Sequence, residues 1–119
     1  MVKLDKNVMY YLAHPYDSGD QRKNCLHEAE CCKRIRISQD GYDMGEMLNI
    51  NGIKLLRPLN TIPPGVSRGE AMRMCLILLS ACQGIIMCGD WKNSSGCQQE
   101  YQEAKARGIQ VYEYREVVR

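Results

Sequence analysis

Four short apolar runs alternate along the chain with longer segments in which apolar residues recur at helical spacing. The runs lie at residues 8–13, 53–58, 84–88 and 109–114. The helical segments lie at residues 20–36, 67–82 and 97–107. Nearly continuous apolar runs are typical of strands that are buried on both faces of a parallel sheet. The alternation therefore predicts an α/β fold, with a parallel sheet of about four to five strands flanked by helices.

The helix at residues 67–82 is the element that the sequence defines best. Ser67 and Glu70 have the spacing of a capping box, which predicts Ser67 as the N-cap and Glu70 reaching back to it. One apolar stripe consists of Ala71, Met74, Cys75, Leu78, Leu79 and Cys82, and three more apolar residues lie off it, Met72, Leu76 and Ile77. A second apolar side predicts burial beyond that of a surface helix.

Two partners could cover that second side. One is another subunit, which would make the protein a homodimer or a higher homo-oligomer through the helix at residues 67–82. The other is the segment at residues 38–52, whose Asp40-Gly41, Gly45 and Asn51-Gly52 turn signals we interpret as a loop or a short hairpin-like excursion. The sequence leaves both open.

Composition and charge narrow the class of protein. The 119 residues allow one domain, residues 1–119. The formal net charge is only +2, and the sequence has no block of like charge, which argues against a nucleic-acid partner. The longest apolar stretch, residues 74–81, is far shorter than the roughly 20 residues of a membrane span. The first six residues lack the apolar core of a signal peptide. We therefore expect a cytoplasmic protein with no membrane partner.

The chain has seven cysteines: Cys25, Cys31, Cys32, Cys75, Cys82, Cys88 and Cys97. No pair has Cys-x-x-Cys spacing, and His14 and His27 complete no zinc pattern with them. We expect reduced thiols that act as small apolar residues, and no metal or other cofactor. Cys97 is the best candidate for a reactive thiol, because a cysteine at a helix N-terminus can have a lowered pKa.

Two polar loops should meet at one edge of the sheet. Residues 14–19 follow the first strand and residues 89–96 follow the third, and ligands of open α/β sheets bind at the carboxyl ends of the strands. Each loop leads into a helix N-terminus, which favours an anion such as phosphate, although ordinary helix caps give the same pattern. The candidate binding residues are His14, Pro15, Tyr16, Ser18, Gly19, Asp90, Trp91, Ser94, Ser95 and Gly96.

Glu100 and Tyr11 are the candidate catalytic residues. Glu100 lies in the first turns of the helix at residues 97–107, where the helix dipole favours a charged carboxylate that could serve as a nucleophile. Acids also favour first turns without any catalytic role. Tyr11 lies near the carboxyl end of the first strand and could reach that carboxylate, or it could be an ordinary core tyrosine.

At these positions the chain resembles the nucleoside 2-deoxyribosyltransferase-like superfamily, and most closely its small, mostly uncharacterised bacterial and phage domains. Three segments carry the resemblance: Tyr11-Leu12-Ala13-His14-Pro15-Tyr16, Cys75-Leu76, and Gly89-Asp90-Trp91-x-x-Ser94-x-Gly96-Cys97-x-x-Glu100-x-x-x-Ala104-x-x-x-Gly108. The resemblance implies a Rossmann-like fold with flavodoxin-like strand order, assembled as a dimer or larger oligomer. It also implies a nucleotide-type ligand.

The resemblance further implies roles for single residues. Glu100 corresponds to the glutamate that attacks C1′ of a deoxyribosyl group, and Tyr11 to the tyrosine that positions it. Ser94 corresponds to a serine that contacts the 5′-phosphate in deoxynucleoside monophosphate N-glycosidases, with Ser18 as a second contact. Cys75 stands where an aspartate often assists the leaving base, and Gln83 stands where another aspartate is common.

Three functions fit these residues. The first is a nucleotide N-glycosidase or deoxyribosyltransferase-like enzyme that uses Glu100 as its nucleophile. The second is a protein that binds a nucleotide or an ADP-ribose-type signal, as a sensor or sponge in phage counter-defence for example, with little or no turnover. The Cys75 and Gln83 departures favour it. The third is a subunit that has lost activity and acts through its apolar helix.

Overall fold

The apolar runs form the strands of one parallel sheet. A computed structural model of the chain describes residues 1–16, 20–42 and 51–119. The strands are β1 (Met9–Ala13), β2 (Lys54–Leu56), β3 (Gly84–Met87) and β4 (Gln110–Glu113). They pair in the order β2-β1-β3-β4, and every pair is parallel. This confirms the predicted α/β fold, with the Rossmann-like, flavodoxin-like strand order.

Helices cover both faces of the sheet. They are α1 (Gln21–Asp40), α2 (Pro58–Thr61), α3 (Arg68–Ser80), α4 (Ser95–Ala106) and α5 (Tyr114–Val117), and a 3-10 turn spans Trp91–Asn93. No helix among the described residues is long and apolar enough to span a bilayer.

Alternate residues of β1 enter two separate cores. Tyr10 and Leu12 pack on the side of α1 and α5, with Ile35 and Val117. Tyr11 and Ala13 pack on the opposite side. The residues that surround them come from α3, β3 and α4, and include Leu79, Ile85, Met87, Cys97 and Ala104. Because the side chains of a strand alternate between faces, this register sends Tyr11, and not Tyr10, towards α4.

Helix α1 is longer than the periodicity predicted. It continues through Asp40, so the predicted excursion at residues 38–52 is wrong for its first three residues. The Asp40-Gly41 pair is the end of the helix: Gly41 has a φ of 87°, and its N–H donates to the carbonyl of Ile37 at 3.0 Å. Only glycine adopts that φ without strain. Residues 43–50 of the predicted excursion lie outside the described residues.

Two one-turn helices were missed because neither is long enough to show a periodicity. Helix α2 begins at Pro58, whose fixed φ suits a first helical position, so the predicted strand at residues 53–58 ends two residues early. Helix α5 begins at Tyr114 with a capping box between Glu113 and Glu116, which ends β4 one residue before the prediction.

The caps of α3 and α4 set the ends of both helices beside the sheet edge. Ser67 is the N-cap of α3 as predicted, and its Oγ accepts from the N–H of Glu70 at 3.2 Å. The carboxylate of Glu70 does not reach back but lies 3.3 Å from Arg73. Helix α4 begins at Ser95, two residues earlier than predicted, because Ser94 caps it by accepting from the N–H of Cys97 at 3.2 Å.

Candidate functional site

A cleft of about 710 Å³ opens at the carboxyl edge of the sheet and continues between α3 and α4. That volume lies within the usual range for small-molecule sites. Its described wall includes His14 and Tyr16 after β1, Leu59 of α2 and Glu100 of α4. The off-stripe residues of α3 that predicted a covered surface also line it, namely Met72, Leu76 and Ile77. The second apolar side of α3 is thus one wall of the cleft. A homo-oligomer formed through this helix stays a prediction.

Glu100 and Tyr11 meet beneath the cleft. The phenolic O–H of Tyr11 donates to Oε2 of Glu100. Tyr11 is fully buried and Glu100 is 5% exposed, yet Glu100 still lines the cleft wall. Of the described wall residues, Glu100 is the only carboxylate. The geometry therefore joins the two candidate catalytic residues and leaves the carboxylate reachable from one side.

The ionisation of Glu100 differs from the expectation drawn from its helix position. Glu100 is the sixth residue of α4, beyond the first turn, and burial is the main influence on it. Burial raises its pKa to about 7, although hydrogen bonds from Tyr11 and Cys97 act to lower it. The predicted helix-dipole effect is confined to a helix's first turn, so it does not hold this carboxylate fully ionised at neutral pH.

Two thiols adjoin this pair. Cys75 of α3 packs against the core that contains Tyr11 and lines the cleft, and burial raises its pKa to about 11. Cys97 of α4 hydrogen-bonds with Glu100 but is only 1% exposed, so it is a poor choice for the reactive thiol that the sequence predicted. Both cysteines line the cleft.

The N-terminus of α4 forms a polar shelf in the cleft wall, made of Ser94, Ser95 and Gly96. Ser94 is 1% exposed and its Oγ caps the helix, whereas Ser95 is exposed. The guanidinium of Arg68, from the first turn of α3, donates to the Oγ of Ser95 at 3.2 Å. Sequence reasoning missed Arg68, because the only signal was its place directly after the N-cap Ser67. A cation beside a helix N-terminus makes this shelf suited to an anion.

The loop after β1 contributes two wall residues. His14 and Tyr16 line the cleft, while Pro15 is absent from the described wall. Nδ1 of His14 lies 3.0 Å from the carbonyl oxygen of Pro15, so that nitrogen carries a proton. Burial alone would lower the pKa of His14, but hydrogen bonds with Cys31 and with Pro15 more than offset it, and the pKa is raised. Ser18 and Gly19 lie outside the described residues.

Asp90 and Trp91 support the second loop and are not among the described wall residues. The carboxylate of Asp90 accepts from the side-chain amide of Asn93 at 2.8 Å. The indole N–H of Trp91 donates to Glu113 at 3.1 Å, and its ring packs on Tyr101 with centroids 5.0 Å apart. Of the two roles that the sequence left open for Trp91, the structure favours the base of the loop over stacking on a ligand.

Within the described ranges, no group of three or more His, Cys, Asp or Glu side chains could hold a metal ion. A family described as a domain of unknown function, DUF4406, matches residues 41–113, which is more than half of the 119-residue chain. The match contains α3, β3 and α4, and with them Glu100 and Ser94, but it excludes Tyr11 and His14. No curated protein matches the chain.

Proposed function

The chain belongs to the DUF4406 family, and we propose that it is a nucleotide N-glycosidase or a related deoxyribosyltransferase in which Glu100 attacks C1′ of a phosphorylated (deoxy)ribosyl substrate. The observation that carries the proposal is the buried Tyr11–Glu100 hydrogen bond at the wall of a cleft large enough for a nucleotide. The three segments that resemble the nucleoside 2-deoxyribosyltransferase-like superfamily include the same two residues.

The polar shelf supplies the second support. Ser95 and Gly96 present the N-terminus of α4 to the cleft, and Arg68 adds a positive charge beside them. A phosphate group bound there would receive backbone N–H groups and a guanidinium. The substrate's phosphate would sit on the shelf while its sugar lies over Glu100.

The reaction proceeds through two displacements at C1′. A Glu100 carboxylate oxygen forms a bond to C1′ as the C1′–N bond breaks, and the electron pair of that bond leaves with the base. His14, which also lines the cleft, donates a proton to the leaving base. Water then attacks C1′, returns its proton to His14 and frees the carboxylate. If a second base attacks instead of water, the product is a transferred glycoside.

Release of free base from a panel of nucleoside monophosphates tests the proposal. Purified protein is incubated with ribo- and deoxyribonucleotides, and the free base is quantified by chromatography. We expect release from at least one nucleotide, and its loss by more than about a hundredfold in Glu100→Gln. The matched control is Glu103→Gln, one turn away on α4 and paired with Arg107, which should retain the activity. Equal rates in wild type and Glu100→Gln would refute the assignment.

Cys75 favours a second candidate, a nucleotide-binding protein with little or no turnover. Its thiol lies where a carboxylic acid assists the leaving base in the enzymes that the chain resembles, and with a pKa of about 11 it is a poor acid–base partner at neutral pH. Native mass spectrometry with the same nucleotides separates the two. Retained nucleotide without base release supports binding alone, and absence of both contradicts either function.

A further inference from the structure

A buried carboxylate on α1 anchors the short helix α2. Glu28 is fully buried, and its Oε2 accepts from the backbone N–H of Leu59 at 2.9 Å. Its Oε1 accepts from Nε of Arg57 at 3.0 Å, and the Arg57 side chain is itself only 14% exposed. Glu28 and Arg57 lie 29 positions apart in the sequence, so residue spacing gave no sign of this contact.

The bond to Leu59 supplies a cap that α2 lacks. Arg57 is the N-cap residue of α2, and its side chain makes no capping hydrogen bond. Pro58, the first helical residue, has no N–H, so the N–H of Leu59 is the first donor of the helix that needs a partner. An N-cap side chain ordinarily accepts from the second or third helical residue, and here Glu28 provides that acceptor from another helix.

Helix α2 is too short to hold its shape by itself. It has four residues, whereas isolated helices of fewer than about 12 residues are marginal even in favourable sequences. The N–H of Asn60 donates to the carbonyl of Arg57 at 3.2 Å, and the N–H of Ile62 donates to that of Pro58 at 3.0 Å. With so few internal bonds, the place of α2 beside the cleft depends on its bonds to neighbouring elements, and Glu28 makes one of these.

Helix α2 and the residue that ends it form part of the apolar wall of the cleft. Leu59 and Ile62 line the cleft, as do Met72 and Leu76 of α3. In the proposed function the phosphate lies on the polar shelf and the sugar lies over Glu100, which leaves the base for the apolar wall. Apolar side chains are the usual lining of small-molecule sites, and the flat faces of a base can pack against them.

The cost of burying a charge points to a role beyond stability. Taking an ion pair out of water is expensive, and apolar residues of similar volume often give equal or greater stability. Folding stability alone is therefore a weak reason for a carboxylate at Glu28. The N–H of Leu59 is a stronger reason, because no apolar side chain could accept its hydrogen bond.

We propose that Glu28 is a positioning residue of the candidate site: by holding the N–H of Leu59 it fixes α2, and with it the wall of Leu59 and Ile62 against which the base binds. Glu28 is not among the described wall residues, so its effect on a ligand passes through α2. The identity of that ligand rests on the proposed function.

Steady-state kinetics of base release test the consequence. Glu28→Gln keeps the volume of the side chain but offers one oxygen in place of two, so it cannot accept from both Leu59 and Arg57. We expect KM for a nucleoside monophosphate to rise about tenfold while kcat stays within about threefold, because Glu100 lies on another element. Leu59→Ala should shift KM in the same direction. An unchanged KM in either variant, or a loss confined to kcat, overturns the proposal.

Two control variants separate the hydrogen bond from the ion pair. Arg57→Lys keeps a cation beside Glu28 and leaves the carboxylate to accept from Leu59, so KM should stay within about threefold of the wild-type value. Glu30→Gln makes the same substitution two residues further along α1, in the exposed pair with Arg34, and should change neither KM nor kcat. A rise of KM in Arg57→Lys as large as that in Glu28→Gln would contradict the role given to the N–H of Leu59.

Hydrogen exchange tests the anchor without any substrate. In Glu28→Gln, residues 58–62 should exchange on the order of tenfold faster than in the wild type, while α4 keeps its rates. Equal rates at residues 58–62, or an acceleration of the same size in α4, would refute a specific hold on α2. If the wild type releases no base, the proposed function fails and exchange still decides the anchor. If the wild type is active and Glu28→Gln has the same KM, the proposed function stands and this inference fails.

Discussion

The Tyr11 hydroxyl donates a hydrogen bond to Oε2 of Glu100 across 89 residues of sequence, and both side chains are buried. The bond ties the first strand to the last long helix. It also opposes the effect of burial on the carboxylate, since a hydrogen bond donated to the charged form lowers a carboxyl pKa. The chemistry of Glu100 therefore depends on Tyr11 even though Tyr11 does not line the cleft.

Replacing Tyr11 by phenylalanine should weaken the proposed activity and move its pH profile. Without the hydrogen bond, the pKa of Glu100 rises above about 7, so less of the carboxylate is ionised at neutral pH. We expect a loss of roughly a hundredfold in kcat at pH 7, with the midpoint of the kcat profile shifted to higher pH. Base release measured between pH 5 and 9 checks both.

The control for this variant is Tyr101→Phe, on the same helix as Glu100. Its ring packs on Trp91, outside the described cleft wall. Kinetics of Tyr101→Phe should match the wild type. A Tyr11→Phe protein with lower kcat but an unchanged pH midpoint would mean that Tyr11 acts only through packing.

Burial of Glu100 should make the stability of the protein fall as pH rises from 4.5 to 7. In that window the folded protein retains a proton on Glu100, whose pKa is about 7, while the unfolded chain has lost it at its ordinary pKa of 4.5. Stability falls wherever the folded state binds more protons, here by about 3 kcal/mol in total. Urea unfolding of wild type and Glu100→Gln at several pH values isolates the effect as their difference. Parallel curves would refute it.

Gly84 should tolerate no side chain. A Cβ at this position in β3 would lie 2.4 Å from Cδ1 of Tyr10, whose ring packs edge-on against Tyr112 and whose hydroxyl accepts from the N–H of Asp5. We expect Gly84→Ala to lower the free energy of unfolding by about 1–3 kcal/mol. Gly69→Ala is the control: nothing lies within 4 Å of its added Cβ in α3, so stability should rise by up to about 1 kcal/mol.

The ion pair between Glu28 and Arg57 should stabilise the short helix at the cleft. Glu28 is fully buried and accepts from Nε of Arg57 at 3.0 Å and from the N–H of Leu59 at 2.9 Å. Glu28→Ala leaves Arg57 without this carboxylate and should cost about 3–5 kcal/mol of folding free energy. Chemical denaturation measures the loss. The surface pair of Glu30 and Arg34 is the comparison, and Glu30→Ala should cost under about 1 kcal/mol.

Ser94 and Ser67 allow a cap to be distinguished from a ligand contact. Each Oγ accepts a backbone N–H at 3.2 Å, so Ser94→Ala and Ser67→Ala should each cost about 1 kcal/mol of stability. If the shelf also holds the substrate phosphate, only Ser94→Ala should raise KM for a nucleoside monophosphate. Matching KM values in the two variants would restrict Ser94 to capping.

Much of the fold follows from local patterns. The apolar runs located the four strands of the described part of the chain, and Ser67 marked the start of α3, because burial on both faces and capping are properties of consecutive residues. The pattern misjudged the end of α1 and missed α2 and α5, where a single glycine or proline and one capping box decide the structure. Such one-turn features leave no periodicity to detect.

The candidate site, like the fold, was predicted from the sequence only in part. The rule that ligands bind at the carboxyl ends of parallel strands predicted that His14, Tyr16, Ser95 and Glu100 lie near one another. In the structure all four line the cleft. The sequence did not predict Arg68 as a site residue, because its position in the site depends on how α3 lies against the N-terminus of α4. The sequence also did not predict the raised pKa of Glu100, because that pKa depends on burial and the burial is produced by residues distant in sequence.

The amino-acid sequence by itself determined the alternation of strands and helices, their order, and the edge of the sheet where the candidate site residues lie. Only the tertiary structure decided which polar groups meet: Tyr11 hydrogen-bonds with Glu100, and Arg57 pairs with the buried carboxylate of Glu28. The physical reason is that periodicity reports which face a residue occupies, whereas a pKa depends on burial and on partners from other elements, which meet only when the sheet has formed.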